Sequence, residues 1–289
     1  MPASGPSRRD PRTPKNPKPN SSGAHFLAAP RIIEDLIRHC AIDEQDLVLD
    51  LGAGFGAITA PLARTGAKVL AVERDPEFAR RLRRRLDDRP NVRVVTADLR
   101  TVSLPRNDFL VVSSIPYAVS SALLRRLLSP RSTPLRRAEL VVEWGFAKRL
   151  TTAVPRSPEL AWWAARFQLS LRKRVPAACF SPPPKVDSAH LAVRRNTGLS
   201  GRAEHALWFL LDAAYRARTA PVRTAVATAL AGRNPRRALA GAGIDPAAEA
   251  GAVRPAQWAA LAGRLAEDPA LHWPRLPPEL SGHGVTMRR

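Results

Sequence analysis

Between residues 23 and 195, short apolar runs alternate with stretches whose apolar residues recur at helical spacing. "APRIIEDLIRHC" carries Pro30 near a helix start and Ile32, Ile33, Leu36 and Ile37 on one face. "DLVLDL" reads as a short buried strand and leads into the glycine-rich "GAGFGAIT". "AKVLAVE" is a second strand. "PEFARRLRRRL" is a helix with Phe78, Leu82 and Leu86 inward and an arginine face outward. "NVRVVTADL", "DFLVVSS" and "AELVVEW" supply three further strands, and "ARFQLSLRKRV" and "DSAHLAVRR" alternate like a closing antiparallel pair. Strands separated by helices predict an α/β domain with a doubly wound, mostly parallel sheet of seven strands.

From about residue 196 the strand signal stops. "AEHALWFLLDAAYRA", "PVRTAVATALAG", "NPRRALAGAG" and "RPAQWAALAGRLAE" are short helical patterns broken by Gly and Pro. They predict a small all-helical domain over residues 196–269, in which Trp208 and Trp258 are core. Residues 270–289 are rich in Pro and Gly and read as a flexible tail. Residues 1–22 are basic, Pro-rich and too polar to pack, so they read as a disordered arm suited to non-specific phosphate contact. No internal repeat is visible.

Charge changes this picture most. The 46 Lys plus Arg outnumber 25 Asp plus Glu, a formal net charge of +21. An arginine-rich composition explains Arg in place of Lys but not the shortage of acids. Such an excess attracts polyanions, with nucleic acid the leading partner. Cys40 and Cys179 share no metal-type spacing and make no disulfide framework. The six His are scattered, so no metal is expected. No apolar run approaches a membrane span, and the basic leader lacks the apolar segment of a secretory signal, so the expectation is a cytoplasmic protein.

The glycine turn "VLDLGAGFGAIT" follows a strand and opens a helix, so backbone can approach a ligand and the helix N-terminus favours negative charge. Glu73 ends the next strand and suits the two hydroxyls of a ribose. Gly52, Gly54 and Ala57 satisfy the dinucleotide pattern, so at this point a nicotinamide enzyme remains open beside other adenosine cofactors. Asp98 ends the third strand, where it can accept from an adenine amine or merely cap the next turn. The fourth strand ends in Ser114-Ile115-Pro116-Tyr117, an odd place for a proline. An aromatic amine is a poor nucleophile because its lone pair is delocalised into the ring. Acceptors on its hydrogens push that pair back onto nitrogen. Ser114 and the Ile115 carbonyl can be those acceptors, and the Tyr117 ring can stack the base.

These residues resemble the ribosomal RNA adenine N6-methyltransferases, which include the Erm resistance enzymes and the small-subunit adenine dimethylases. The resemblance covers residues 23–266. It rests on Ala24-His25-Phe26-Leu27, Asp50-Leu51-Gly52-Ala53-Gly54-Phe55-Gly56, Glu73, Asp98, Ser114-Ile115-Pro116-Tyr117 and Phe180-Ser181-Pro182-Pro183-Pro184-Lys185-Val186-Asp187-Ser188. It implies a Rossmann-like domain over residues 23–195 that binds S-adenosylmethionine through His25, Leu27, Gly52, Ala53, Gly54, Glu73, Arg74, Asp98, Leu99 and Ser114. It further implies a catalytic set of Ser114, Ile115, Pro116, Tyr117 and Phe180, with the adenosine flipped between Tyr117 and Phe180.

Two positions depart from the family pattern: Ala24 stands where a Gln is usual and Ser114 where an Asn is usual. "AELVVEWGFAKRL" and "AVRPAQWAALAGRL" look more like the Erm branch. The expectation is therefore a monomer that methylates adenosine N6 in 23S ribosomal RNA and confers macrolide-type resistance. A small-subunit 16S dimethylase and a non-catalytic RNA-binding factor are the alternatives. A nicotinamide oxidoreductase leaves the Ser-Ile-Pro-Tyr and late proline motifs unexplained.

Overall fold

A computed structural model describes residues 25–230 and 234–282. The expected arm over 1–22 and the Ala24 departure lie outside the described residues.

The main sheet has seven strands in the order β4-β3-β2-β5-β6-β9-β7. They are β2 (Leu47–Leu51), β3 (Lys68–Glu73), β4 (Val92–Thr96), β5 (Phe109–Ser114), β6 (Leu135–Glu143), β7 (Phe167–Val175) and β9 (Ser188–Arg195). The ladders from β4 through β6 are parallel, and β9 is antiparallel to both β6 and β7. The doubly wound sheet and its antiparallel closing pair are as the alternation predicts. A two-stranded ladder joins β1 (Phe26–Leu27) to β8 (Phe180–Ser181), with Leu27 opposite Phe180.

The connecting helices are α1 (Pro30–Cys40), α2 (Thr59–Ala63), α3 (Pro76–Arg85), α4 (Tyr117–Leu128), α5 (Trp144–Leu150) and α6 (Pro158–Arg166). Their starts are written locally. Asp75 accepts from the backbone N–H of Glu77 and Phe78, Glu143 from those of Gly145 and Phe146, and Ser157 from that of Leu160. α1 buries Ile33, Leu36 and Cys40, while Ile32 and Ile37 are only partly covered. α3 buries Ala79 and Leu82, and Phe78 stays half-exposed against Phe26 and Phe55.

The helical part comprises α7 (Gly201–Arg216), α8 (Val222–Ala229), α9 (Arg236–Gly241) and α10 (Pro255–Ala266), followed by the one-turn α11 (Pro278–Ser281). Its core is continuous with the sheet's. Trp162 on α6 is fully buried, meets Trp208 edge-on, and shares one apolar cluster with Trp258. Trp162 and Trp163 both donate to Ser129, through its carbonyl and its Oγ.

The flexible tail expected from residue 270 is corrected as far as 282. Leu271, Leu276 and Leu280 are buried. Arg131 donates its backbone N–H to the Leu280 carbonyl, and His205 meets the carbonyl of Pro274. Leucines at intervals among the prolines give the segment enough apolar surface to dock.

Candidate active site

The carboxyl ends of β2, β3 and β5 meet on one edge of the sheet, where ligands bind in this architecture. After β2 the chain turns through Gly52, Gly54 and Gly56, with φ of 91°, 53° and 83°. A Cβ on Gly54 would stand 2.8 Å from the Phe26 ring, and one on Gly52 would stand 3.0 Å from Pro116. The turn therefore needs glycine for both its backbone and its neighbours. Gly52 and Ala53 donate to the Val72 carbonyl, which fixes the turn against β3.

Glu73 is buried, and both of its oxygens are engaged: Gly54 N–H donates to one and Asp75 N–H to the other, each at 2.8 Å. This carboxylate is a strut for the glycine turn. Each oxygen keeps a second lone pair for a ribose hydroxyl. Arg74, beside it, is exposed.

Asp98 grips Arg100. The guanidinium donates to both carboxylate oxygens, and Arg100 N–H donates at 2.8 Å. Those hydrogen bonds hold the Asp98 carboxyl well below the usual carboxylate range. Asp98 thus caps its own turn, and an adenine amine has to share it with Arg100. Leu99 is buried and packs toward Gly52.

At the end of β5 two adjacent serines have different tasks. Ser113 Oγ is buried and accepts from Leu51 N–H at 2.7 Å. Ser114 is half-buried, and its Oγ has no partner among the described residues. Ile115 donates its N–H to the Val141 carbonyl, while its own carbonyl, just before Pro116, accepts nothing among the described residues. Pro116 caps α4, and its carbonyl takes Val119 N–H and Ser120 Oγ. Tyr117 opens α4 half-buried, with its hydroxyl 2.6 Å from Ser188 Oγ and its ring 6.4 Å from that of His25. Burial pushes the phenol up from its ordinary value, with Ser188 opposing, so it stays neutral at physiological pH.

Ser188 brings the late proline motif to this edge. Asp187 beside it takes Ala177 N–H at 2.8 Å and Arg174 Nε at 2.6 Å, and its carbonyl accepts from Trp144 N–H. Phe180 is corrected. The residue is 5% exposed and belongs to the apolar cluster that includes Leu27, Ile33, Leu36, Val141 and Val175. A ring enclosed on that scale anchors the loop and offers no free face to an adenine. His25 is exposed, and its Nδ1 is 2.9 Å from the Pro182 carbonyl. Leu27 is buried.

A small recess between these elements is lined by His25, Phe26, Leu27, Asp50, Phe55 and Ser114, with backbone of the glycine turn. Asp50, Phe26, Phe55 and Ser188 are site residues that sequence reasoning assigned no role. The signal for Asp50 was present: a carboxylate inside the apolar run "LVLDL". Asp50 is 1% exposed and accepts from Thr59 Oγ1 at 2.7 Å. Burial pushes its carboxyl up to about 7, with the hydroxyls of Thr59 and Ser113 opposing and the nearby Glu73 adding.

The folded state therefore holds the Asp50 proton longer than the unfolded chain does. Below about pH 4 both states are protonated and nothing is lost. Between about 4 and 7 folding is increasingly penalised, and above 7 the penalty is constant. Asp50→Asn removes it. The variant's stability advantage over the parent is expected to open by about 1–2 kcal/mol from pH 4 to pH 8, as read by urea titration at each pH, with relaxation around the charge discounted. A pH-independent difference would refute the buried charge.

The arrangement suits S-adenosylmethionine. Glycine backbone leaves room for close approach, and Glu73 offers ribose acceptors. A buried carboxylate beside the recess suits a ligand that carries a sulfonium and an ammonium. Among the described residues no three His, Cys, Asp or Glu are placed to hold a metal ion, and no helix is long and apolar enough to cross a membrane.

Comparison with known proteins identifies the family. A family model described as ribosomal RNA adenine dimethylase matches residues 16–267. An rRNA adenine N-6-methyltransferase of Bacillus licheniformis is 30% identical over 260 residues, covering 89% of this chain and 91% of the relative. A ribosomal RNA small subunit methyltransferase A of Synechococcus sp. (strain RCC307) is 32% identical over 271 residues, covering 86% and 96%. The crystal structure of the 23S rRNA methyltransferase ErmE matches with a TM-score of 0.72 at 29% identity, covering 83% of this chain and 99% of that one.

Proposed function

The chain belongs to the ribosomal RNA adenine dimethylase family, and from that premise we propose that its target is an adenosine of large-subunit (23S) ribosomal RNA. It is an S-adenosylmethionine-dependent enzyme that methylates adenosine N6 in ribosomal RNA. The choice of subunit is carried by the likeness to ErmE, which spans 99% of that structure. Resistance to macrolide-type antibiotics is the consequence of that reading. The 16S alternative rests on the small-subunit relative.

S-adenosylmethionine supplies the electrophilic methyl group, carried on a sulfonium. The chain's own residues do the rest. The free Ile115 carbonyl and Ser114 Oγ take the two hydrogens of the adenine amine and return its lone pair to nitrogen. Pro116 fixes the direction of that carbonyl. Tyr117, held by Ser188, stacks the base and sets the line of attack. The shorter Ser114 keeps an oxygen where Asn is usual and gives up an amide. No strong base is required, because the alkylated amine becomes acidic and loses its proton to water.

The test is methyl transfer from labelled S-adenosylmethionine to separately purified, unmodified large- and small-subunit ribosomal RNA, followed by nucleoside analysis. Label recovered as N6-methylated adenosine from the large-subunit RNA is the expected result. Label confined to the small-subunit RNA would move the protein to the ribosome-maturation branch.

A further inference from the structure

Seven arginines fall within fourteen positions, from Arg80 to Arg93. Five are on α3, and all five are exposed. Glu77 is the one acid on this helix, and Arg80 and Arg81 share it. Arg83 is turned onto the Val94 carbonyl and Thr96 Oγ1, Arg85 onto the Phe55 carbonyl, and Arg89 onto Asp88. Arg84 and Arg93 are exposed and have no partner among the described residues.

A face that is merely solvated gains from alternating signs three and four residues apart. Here Arg80 and Arg84, Arg81 and Arg85, and Arg81 and Arg84 set like charges at those spacings, which disfavours the helix. Arginines in the last turn complement the helix dipole, which accounts for Arg83 to Arg85. It does not account for Arg93, which lies on β4, and Arg80 and Arg81 have only Glu77 between them. That strand is the outer edge of the sheet. Along it, Arg83, Arg89 and Arg93 converge with Asp87 on a recess of about 410 Å³. β4 is separated from β2 only by β3, so this edge stands roughly 10 Å to the side of the strand that carries the glycine turn.

We propose that the α3–β4 edge is a second RNA-contact surface, which takes phosphates of the ribosomal RNA backbone away from the reacting adenosine. Guanidinium forks match phosphate oxygens in pairs, and such contacts supply affinity and register without reading sequence. The bound polyanion relieves the like-charge repulsion that the free helix carries. The inference rests on a ribosomal RNA substrate and not on which subunit supplies it.

The test is the R84Q/R93Q variant, chosen because neither side chain holds the fold or borders the S-adenosylmethionine site. Affinity for whichever ribosomal RNA the parent enzyme methylates is measured against salt concentration. The magnitude of the slope of log K against log salt is expected to fall by about 1.5, at 0.7–0.9 per phosphate contact. KM for RNA at low salt is expected to rise about tenfold, with S-adenosylmethionine affinity and kcat at saturating RNA unchanged. An unchanged slope would overturn the proposal. So would an equal fall in R31Q/R38Q, which removes the same charge from α1, since net charge alone would then be at work. A wrong choice of ribosomal subunit shows only in which RNA is labelled and leaves this comparison intact.

Discussion

A Tyr117→Ala variant is expected to lose about 10- to 100-fold or more in kcat/KM for ribosomal RNA while binding S-adenosylmethionine like the parent. Stacking on an aromatic side chain contributes about 1–3 kcal/mol per base, and misplacing the amine adds to that loss. The ring is the functional element in this account, and the hydroxyl is its mount. Tyr117 sits at the first position of α4, and Ser188 Oγ holds its hydroxyl from 71 residues away. Tyr117→Phe and Ser188→Ala each remove that one hydrogen bond, worth about 1 kcal/mol. Both should therefore cost less than tenfold. Single-turnover methyl transfer with saturating cofactor separates the three variants. Parent-like transfer by Tyr117→Ala would remove the stacking role. Burial raises the phenol pKa from its ordinary 10, so the hydroxyl contributes no titration between pH 6 and 9.

The second large effect concerns stability. Glu139 lies in the middle of β6 with no exposure and meets the side chains of His190 and Arg194 on β9. Arg194 also donates to the His39 carbonyl at 2.6 Å, which ties the end of α1 to the sheet. Removing one member of a buried ionic group leaves its partners unpaired, at a cost of about 3–5 kcal/mol. Glu139→Ala is therefore expected to lower the melting temperature by about 10 °C. Glu139→Gln keeps a hydrogen-bond acceptor and should lose roughly half as much. Differential scanning calorimetry decides it: a shift below about 2 °C would mean that the cluster contributes little. Cys40 lies against the same charges. Burial pushes its thiol up to about 12, with Glu139 adding, so it is an inert core residue and not a nucleophile.

What is local or periodic could be read directly from the order of residues. The alternation of strands and helices specified the sheet, its parallel majority and its antiparallel closing pair, because hydrophobic spacing reports directly on which faces are buried. Gly52 and Gly54 were legible because a tight turn after a strand needs residues without a Cβ. Ser114 to Tyr117 were legible because proline at a strand end is costly without a reason. The arginines of α3 were visible as a face.

Tertiary contact decided which side chains are free. Leu27 pairs with Phe180 across the whole domain, which encloses a ring that the local motif left available. The same kind of distant contact gives Ser188 its hold on Tyr117 and docks the leucines of residues 271–280. Asp98 and Glu73 appear in the sequence as bare acids at strand ends. Asp98 is taken by Arg100 only two positions on, a local contact, while the fold makes Glu73 a strut for the glycine turn. Asp50 was hidden by being read as part of a buried strand. Only packing shows that its carboxyl borders the recess and that burial favours its protonated form. Residue type and spacing set the menu of contacts. Which of them forms depends on segments distant in sequence, as Leu27 is from Phe180 and Tyr117 from Ser188, and no local pattern encodes that.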